Sequence, residues 1–368
     1  MALALLAVVV LGVVVASVVL TAGDGDDVVA SDRPSTDTSA PSTTPTTAAS
    51  TTSTTRGPLG SGQPITIAFA GDVNFEGTTA DRLAADPASI LGPVAPILSS
   101  ADIAVVNMET AIGTTGTAAP KEFTFQAPAA ALEAFRVAGV DVVSAANNHG
   151  MDFGLPSLEE TLQAERDTGF PIIGIGAEEN EAFAPFVAEV RGQRVAVIAA
   201  TQVLDDTLID EWTAGPGKPG LASAKRVERL VQAVTEARAI ADTVVVFLHW
   251  GIERNTCPSA DQESLAQTLV DAGADIVVGG HAHRLQGGGR LGDAVVHYGL
   301  GNFAFHAGTA EAARTGVFTV TVTGQRVDSY EWHPARISDR QPRPLEGADR
   351  DEALASWNSL RDCTNLTP

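Results

Sequence analysis

The distribution of apolar and polar residues divides the chain into three stretches. Residues 2–22 carry no charged side chain and consist mainly of Leu, Val and Ala, and a run of about 20 such residues is long enough to span a bilayer. We predict a transmembrane segment over residues 1–22, as either a signal anchor or a long signal peptide. Residues 23–63 are rich in Asp, Ser, Thr and Pro, so we expect a disordered stalk there.

Short apolar runs alternate with amphipathic stretches from residue 64 onward. The runs predict strands at Ile65–Ala70, Ile103–Asn107, Val140–Ala145, Ile172–Ile175, Val195–Ala200, Val244–Leu248, Ile276–Val278, Ala294–His297 and Val317–Val322. The first seven are nearly continuous in apolar residues, which is typical of strands covered on both faces. One helix is predicted between Pro156 and Gly169, and another after a capping box that begins at Ser259.

This alternation indicates an α/β sheet protein. No linker-like composition interrupts residues 64–340, which favours one domain there over two. Residues 341–368 are expected to form a C-terminal tail, and the charged run Glu346–Glu352 a solvated surface.

The charge balance excludes one class of partner. The chain has 23 Lys and Arg against 45 Asp and Glu, a net charge of −22, so binding to nucleic acid is not expected. An anionic substrate is still compatible with this charge, because a bound metal ion can reverse the local sign inside a cleft.

The chain contains two cysteines, Cys257 and Cys363. An apolar first segment followed by a polar tether places the remaining domain outside the cytoplasm, where disulfides persist. We therefore predict a Cys257–Cys363 bridge that holds the C-terminal tail.

Polar side chains follow five of the predicted strands at the point where each strand ends. They are Asp72, then Asn107 and Glu109, then Asn147, Asn148 and His149, then His249, and finally His281 and His283. The carboxyl edge of the strands is where open α/β sheets bind ligands, so we expect these groups to meet in one site. Carboxylates, an amide oxygen and imidazoles suit one or two first-row divalent ions, with Mn, Fe and Zn as candidates. His149 could protonate a leaving oxygen, and Gly279-Gly280 would free the backbone to turn both later histidines inward.

The same segments resemble the CapA family. The resemblance rests on Ala70-Gly-Asp72, Asn107-Met-Glu109, Asn147-Asn-His149, His249-Trp-Gly251 and Gly280-His281-Ala-His283, with two further signatures at Lys121–Pro128 and Tyr298–Phe303. That family is associated with capsule and poly-γ-glutamate biosynthesis and belongs to the calcineurin-like metallophosphoesterase superfamily. The resemblance implies a four-layer α-β-β-α sandwich of metallophosphoesterase type, with metals at the ends of the central strands.

The resemblance also implies roles for single residues. The implied metal ligands are Asp72, Glu109, Asn148, His249, His281 and His283. From the residues themselves, the candidate catalytic groups are His149, Asp72 and His249, and the candidate substrate contacts are Lys121, Asn147 and Asn302. The chain departs from the superfamily pattern where Asn74 replaces the usual early histidine and where Glu109 supplies the second carboxylate.

Three functional hypotheses follow. The first is a single-pass cell-membrane protein whose domain faces outward, or is secreted if the N-terminus is cleaved, and which acts in capsular polymer biosynthesis or export. Its partners would be an anionic capsular polymer or a phosphorylated substrate, the membrane and capsule synthase subunits. The second is a metal-dependent hydrolase of phosphoesters or γ-glutamyl amides, and the third is a structural wall protein.

Overall fold

The computed structural model describes residues 57–368. The predicted transmembrane segment and residues 23–56 of the predicted stalk lie outside this range. Within residues 57–368, no helix has the length and apolar character needed to cross a bilayer. Residues 57–63 form turns that are held by Gln193, whose side-chain amide donates to the carbonyls of Leu59 and Gln63.

The described residues contain eighteen strands and ten α-helices. The strands are β1 Ile65–Val73, β2 Ile103–Met108, β3 Ala111–Ile112, β4 Gln126–Ala127, β5 Val142–Ser144, β6 Ile172–Ile173, β7 Ile175–Gly176, β8 Phe186–Val190, β9 Gln193–Thr201, β10 Gly220–Leu221, β11 Thr243–Trp250, β12 Ile276–His281, β13 Gly288–Leu291, β14 Ala294–His297, β15 Asn302–Ala304, β16 Arg314–Thr323, β17 Arg326–Ser338 and β18 Gln341–Pro344. The helices are α1 Thr78–Ala85, α2 Ala88–Leu91, α3 Ala95–Leu98, α4 Ala131–Val137, α5 Gly154–Thr168, α6 Glu179–Ala182, α7 Ile209–Trp212, α8 Val227–Ile240, α9 Ala260–Asp271 and α10 Gly347–Ser359, with a 3₁₀ turn at Leu360–Cys363.

Two large sheets dominate the fold. The first has the order β18-β17-β16-β1-β2-β5-β6, with β15 also paired to β1. Strands β1, β2, β5 and β6 run parallel, whereas β16, β17 and β18 are antiparallel to their neighbours. The second sheet has the order β13-β14-β12-β11-β9-β8, in which β9, β11, β12 and β14 are parallel. Parallel strands end at the same edge, so both sheets can bring several strand ends to one place.

The apolar core lies in three layers. One cluster fills the space between the two sheets and includes Phe69, Phe247 and Phe318. A second joins the outer face of the first sheet to helices such as α4 and α5, and a third joins the outer face of the second sheet to α8 and α9. The molecule is therefore a mixed α/β sandwich with helices outside each sheet, and this confirms the predicted α/β class.

The predicted start of one helix and the predicted end of another are both present in the structure. Ser259 accepts from the Gln262 amide at 3.2 Å while the Gln262 side chain accepts from the Ser259 amide at 2.9 Å, so the capping box that starts α9 is complete. Helix α5 ends at Gly169, whose φ of 62° is left-handed and favours glycine.

The C-terminal segment is part of the sandwich. Cys257, in the loop after β11, and Cys363 form a disulfide with a Cα–Cα separation of 5.7 Å. Leu366 is buried, and Thr367 exchanges two backbone hydrogen bonds with Arg290 of β13. Residues near the end of the chain are thereby fixed beside the loop that follows β11.

Candidate metal centre

Asp72 stands at the end of β1, where the strand departs from regular pairing. The register shifts on both sides of Asp72, against β2 and against β15. A side chain at Gly71 would approach the Gly301 carbonyl to 1.9 Å, so the preceding position requires glycine. The Asp72 carboxylate is fully buried and accepts from Asn107 Nδ2 at 2.8 Å and from the His281 amide at 3.2 Å. The first carboxylate of the site is therefore fixed by its neighbours.

Glu109 follows β2 and is the least satisfied group of the site. Its side chain is fully buried, and neither carboxylate oxygen accepts a hydrogen bond from the residues the structure describes. Its Oε1 lies 3.4 Å from Nε2 of His249 and 3.8 Å from Nε2 of His283. A buried carboxylate without donors is unfavourable unless a cation balances it.

The segment after β5 supplies Asn147, Asn148 and His149. The Asn147 amide group donates to Asn107 Oδ1 at 3.1 Å and to the Met108 carbonyl at 2.9 Å, and its own oxygen accepts from the His149 amide. Asn148 Oδ1 lies 2.7 Å from Nε2 of His249. Asn147 thus holds the segment in place, while Asn148 offers its oxygen to the site.

His281 and His283 reach the site through unusual backbone conformations. Their φ angles are 87° and 51°, in the left-handed region that side chains other than glycine seldom adopt. The adjacent glycines are needed because other groups approach them closely. A side chain at Gly280 would come within 2.3 Å of Asp72 Oδ1, and one at Gly279 within 2.0 Å of Trp250 Nε1.

The electrostatics of the site reflect its burial. Burial raises the pKa of Glu109 and the nearby Asp72 carboxylate raises it further, whereas burial lowers the pKa of His249 to about 3. The carboxylates of Glu109 and Asp72 raise the pKa of His283 despite its burial. Burial opposes ionisation of Asp72, but its contact with His283 leaves the Asp72 pKa lowered.

The donor set fits a divalent cation. Ligand atoms of Glu109, His249 and His281 lie within 4.8 Å of one another, and so do those of Asp72, Glu109 and His283. Glu109 belongs to both groups, and Nδ1 of His281 lacks a hydrogen-bond partner among the described residues. Imidazoles and carboxylates in these positions match first-row divalent ions, and a cation would satisfy the unpartnered atoms of Glu109 and His281.

A histidine–aspartate pair lies beside the candidate metal ligands. Nδ1 of His149 is 2.5 Å from Oδ2 of Asp152, and Nε2 of His149 is 4.0 Å from Oε1 of Glu109. Asp152 is fully buried and also accepts from the Phe125 amide at 2.7 Å. The Asp152 carboxylate therefore orients His149 with its second nitrogen toward the site.

The three residues predicted to contact substrate are all largely buried and bonded within the protein. Lys121 donates to the Asn148 carbonyl and lies 2.9 Å from Oδ1 of Asp152, with only 7% of its side chain exposed. Asn302 Oδ1 lies 2.9 Å from Nδ1 of His283, and its amide group donates to the Ala312 carbonyl at 3.1 Å. These residues and Asn147 position other members of the site.

Asn107 was expected at the site from its position at a strand end, but no role was predicted for it. It bonds Asp72 and Asn147 and lies 3.2 Å from Nδ1 of His249. Asp152 was missing from the predicted site and was identifiable only by its three-residue spacing from His149. The ring of Phe125 stacks on that of His149 with centroids 4.2 Å apart, and no local pattern indicates this contact.

Fold and site together define a mixed α/β sandwich with a candidate metal centre at the carboxyl ends of its strands. Comparison with known proteins assigns the chain to a family. The family model described as "Bacterial capsule synthesis protein PGA_cap" matches residues 66–307, more than half of the chain. The chain belongs to this family, as the sequence resemblance predicted.

Individual proteins show the same relationship. The capsule biosynthesis protein CapA of Bacillus anthracis is 30% identical over 233 residues, which cover 62% of this chain and 56% of that protein. The PGA biosynthesis protein CapA of Bacillus subtilis is 27% identical over 306 residues, covering 82% and 78%. A solved 5'-nucleotidase from Candida albicans aligns with a TM-score of 0.42 and 12% identity over 81% of this chain and 58% of that one.

Proposed function

We propose that this protein acts in the synthesis or export of an anionic capsular polymer, and that its candidate metal centre faces the polymer or a phosphorylated precursor. The observation that carries the proposal is the Glu109 carboxylate, buried without a hydrogen-bond donor and shared by two groups of ligand-type atoms. Family membership supports the link to capsule synthesis. The capsule synthase subunits are the proposed protein partners.

The proposed ligands are Asp72, Glu109, Asn148, His249, His281 and His283, and the proposed ions are Mn, Fe or Zn. A divalent cation held there would polarise a phosphoryl or carbonyl oxygen of the bound molecule. Helices outside two stacked sheets, with this donor set at the strand ends, are the reason we assign the metallophosphoesterase type.

The location of the domain is part of the proposal. The apolar residues 2–22 and the polar residues that follow them support a single membrane anchor with the sandwich on the outer side of the cell membrane. Cleavage after the apolar run would instead release the domain.

A metal-dependent hydrolase of phosphoesters or γ-glutamyl amides is the second candidate, and the pair of His149 and Asp152 favours it. Asp152 accepts from Nδ1 of His149, so Nε2 of the neutral ring carries the lone pair. After taking up a proton from water, Nε2 can donate that proton to a leaving oxygen or nitrogen. Lys121 Nζ lies 2.9 Å from Oδ1 of Asp152 and so helps to hold that carboxylate in position against His149.

Metal analysis of the purified full-length protein tests the proposed centre. We expect bound divalent metal in the wild type and the loss of at least one ion in Glu109→Gln and in His281→Ala. His333→Ala is the control, because that half-buried histidine lies on β17 and contacts Thr319. Unchanged metal content in both site variants would overturn the proposal. Turnover of phosphoesters or γ-glutamyl amides by the loaded protein would favour the hydrolase, and full occupancy without turnover the accessory role.

A further inference from the structure

Two phenylalanine rings connect two histidines of the candidate metal centre. The ring of Phe125 stacks on that of His149 with centroids 4.2 Å apart, and the ring centroid of Phe305 lies 4.8 Å from that of His283. Phe125 and Phe305 in turn meet edge to face, with centroids 5.9 Å apart. The four rings therefore form a continuous arc, and its middle two members, Phe125 and Phe305, make an aromatic wall.

Both ends of the arc lie near the same carboxylate. Nε2 of His149 is 4.0 Å from Oε1 of Glu109, and Nε2 of His283 is 3.8 Å from the same oxygen. The aromatic wall therefore belongs to the surroundings of Glu109, the residue on which the proposed metal centre depends.

Hydrogen bonds of the backbone anchor both phenylalanines. The Phe125 amide donates to the buried Asp152 carboxylate at 2.7 Å. Phe305 directly follows strand β15, and the last residue of that strand, Ala304, accepts from the Asn74 amide at 3.1 Å through its carbonyl. The position of the aromatic wall is thus fixed by the same segments that carry the site.

The aromatic wall is not part of the apolar core. Neither ring belongs to the three clusters that fill the sandwich, and both side chains are only half-buried. An aromatic ring that stays partly in water forgoes the stabilisation that full burial would give. Core packing therefore does not explain these two phenylalanines, whereas contact with the apolar part of a ligand does.

Two loops of the site carry further apolar groups. Phe123 and Ile252 are 60% and 55% exposed, the greatest exposures among the large apolar side chains of residues 57–368. Phe123 lies two positions before Phe125. The loop with Ile252 contacts the segment of the two later histidines, because the Arg254 amide donates to the Ala282 carbonyl at 2.7 Å. Single exposed apolar side chains are common on proteins, but here the two most exposed both lie in loops that form the site.

We propose that the aromatic wall is a subsite that binds the hydrocarbon group of a phosphoester, whose phosphate lies at the candidate metal centre. The inference rests on the proposed function and narrows it to the phosphorylated precursor, which would be an ester of an apolar alcohol. A polymer with a carboxylate on every unit fits less well, because its charges would lie against the two rings without hydrogen-bond partners.

Titration calorimetry of the full-length protein, loaded with Mn²⁺, tests the inference with three phosphonates. Methylphosphonate offers little more than the charged head, whereas phenylphosphonate adds a flat hydrocarbon group and butylphosphonate a flexible one. We expect phenylphosphonate, butylphosphonate or both to bind about tenfold tighter than methylphosphonate. The tighter of the two shows whether the alcohol is aromatic or aliphatic.

Phe125→Ala and Phe305→Ala should each bring the affinity ratio between the larger phosphonates and methylphosphonate close to one. Val187→Ala is the matched control and should keep the ratio of the wild type, because it removes an exposed apolar side chain from β8, at the edge of the second sheet. Circular dichroism and metal content check that each variant is folded and loaded. The comparison of phosphonates in the wild type requires no variant.

Equal affinities of the three phosphonates for the wild type would overturn the inference and leave the proposed centre intact. Phenylalanine variants that weaken all three phosphonates alike would also overturn it, since the rings would then serve only to hold His149 and His283. Glu109→Gln separates these outcomes from failure of the proposed function. If Glu109→Gln binds the three phosphonates as the wild type does, the metal centre is rejected and the aromatic wall with it.

Discussion

Lys121 and Asp152 form an ion pair beneath the candidate metal centre, with Nζ and Oδ1 2.9 Å apart and side-chain exposures of 7% and 0%. The Lys121 ammonium also lies 5.4 Å from the centre of the Trp212 ring. The segment with Lys121 and the segment with Asp152 belong to different loops, so this pair ties the two walls of the site together.

Removal of one partner should leave a buried charge uncompensated. We expect Asp152→Asn or Lys121→Met to lower the free energy of unfolding by about 3–5 kcal/mol, and the double variant to lose less than the sum. Urea unfolding measures all three. The exposed pair Arg326–Asp328 is the control, and its double-variant cycle should give about 0–1 kcal/mol. Strict additivity at Lys121 and Asp152 would show that the two charges do not interact.

Compared with the wild type, Glu109→Gln should be at least as stable without a divalent ion and less stable with one. In metal-free protein the variant is expected to be at least as stable as the wild type, because it removes a buried carboxylate beside Asp72. With the ion at 100-fold over its dissociation constant, the wild type should gain about 2.7 kcal/mol and the variant little. Thermal unfolding in chelator and in excess Mn²⁺ or Zn²⁺ measures this, and equal gains for both proteins would argue against Glu109 as a ligand.

The disulfide should be a major source of stability. Cys257 and Cys363 are separated by 106 residues, and closing a loop of that length restricts the unfolded chain by about 4–5 kcal/mol in the chain-entropy model. We expect the Cys257→Ser, Cys363→Ser double variant to lose a large part of this in urea unfolding. Amide exchange at Arg290, which pairs with Thr367, should accelerate with it. A variant as stable as the wild type would contradict the prediction.

His297 should make the protein sensitive to acid. It is fully buried, accepts from Nε1 of Trp357 at 3.0 Å, and burial lowers its pKa to about 3. The unfolded chain takes up a proton at its ordinary pKa of about 6.5 while the folded chain does not, so the stability contribution is present above pH 6.5 and is lost as the pH falls toward 3.

The contribution of His297 to the free energy of unfolding should fall by about 1.4 kcal/mol for each pH unit below about pH 6. His297→Gln should remove this increment, so that urea unfolding between about pH 7 and pH 5 gives a shallower dependence than in the wild type. His306→Gln, at an exposed histidine, serves as the comparison. Identical slopes for wild type and His297→Gln would mean that His297 takes up its proton equally in both states.

Apolar periodicity was sufficient to predict the main strands. All nine predicted strands overlap strands of the structure, since continuous apolar runs such as Val195–Ala200 identify the strands covered on both faces. Strand β17, which has 13 residues, was not predicted because exposed and buried positions mix irregularly along it. Its pairing with β16, which includes a bulge near Thr321, depends on tertiary contacts.

The residues of the site could likewise be predicted only in part. Strand ends predicted that Asp72, Glu109 and the histidines would lie close together, because parallel strands end at a common edge. The position of Lys121 was not predictable in this way, since a lysine after an irregular loop has no periodic neighbours. The burial of the Lys121 side chain depends on Asp152 and Trp212, which are remote in the sequence and contact Lys121 only in the folded protein.

The left-handed backbone at His281 and His283 also bears on how the loop responds to substitution. Glycine adopts such angles without steric cost, whereas alanine retains the clash that histidine already tolerates. Deleting either imidazole by mutation to glycine should therefore relax the loop at the same time as it removes a ligand atom. Both histidines adopt backbone angles that are unfavourable for a residue with a side chain. The hydrogen bond that the Asp72 carboxylate accepts from the His281 amide stabilises this inward-facing conformation of the loop.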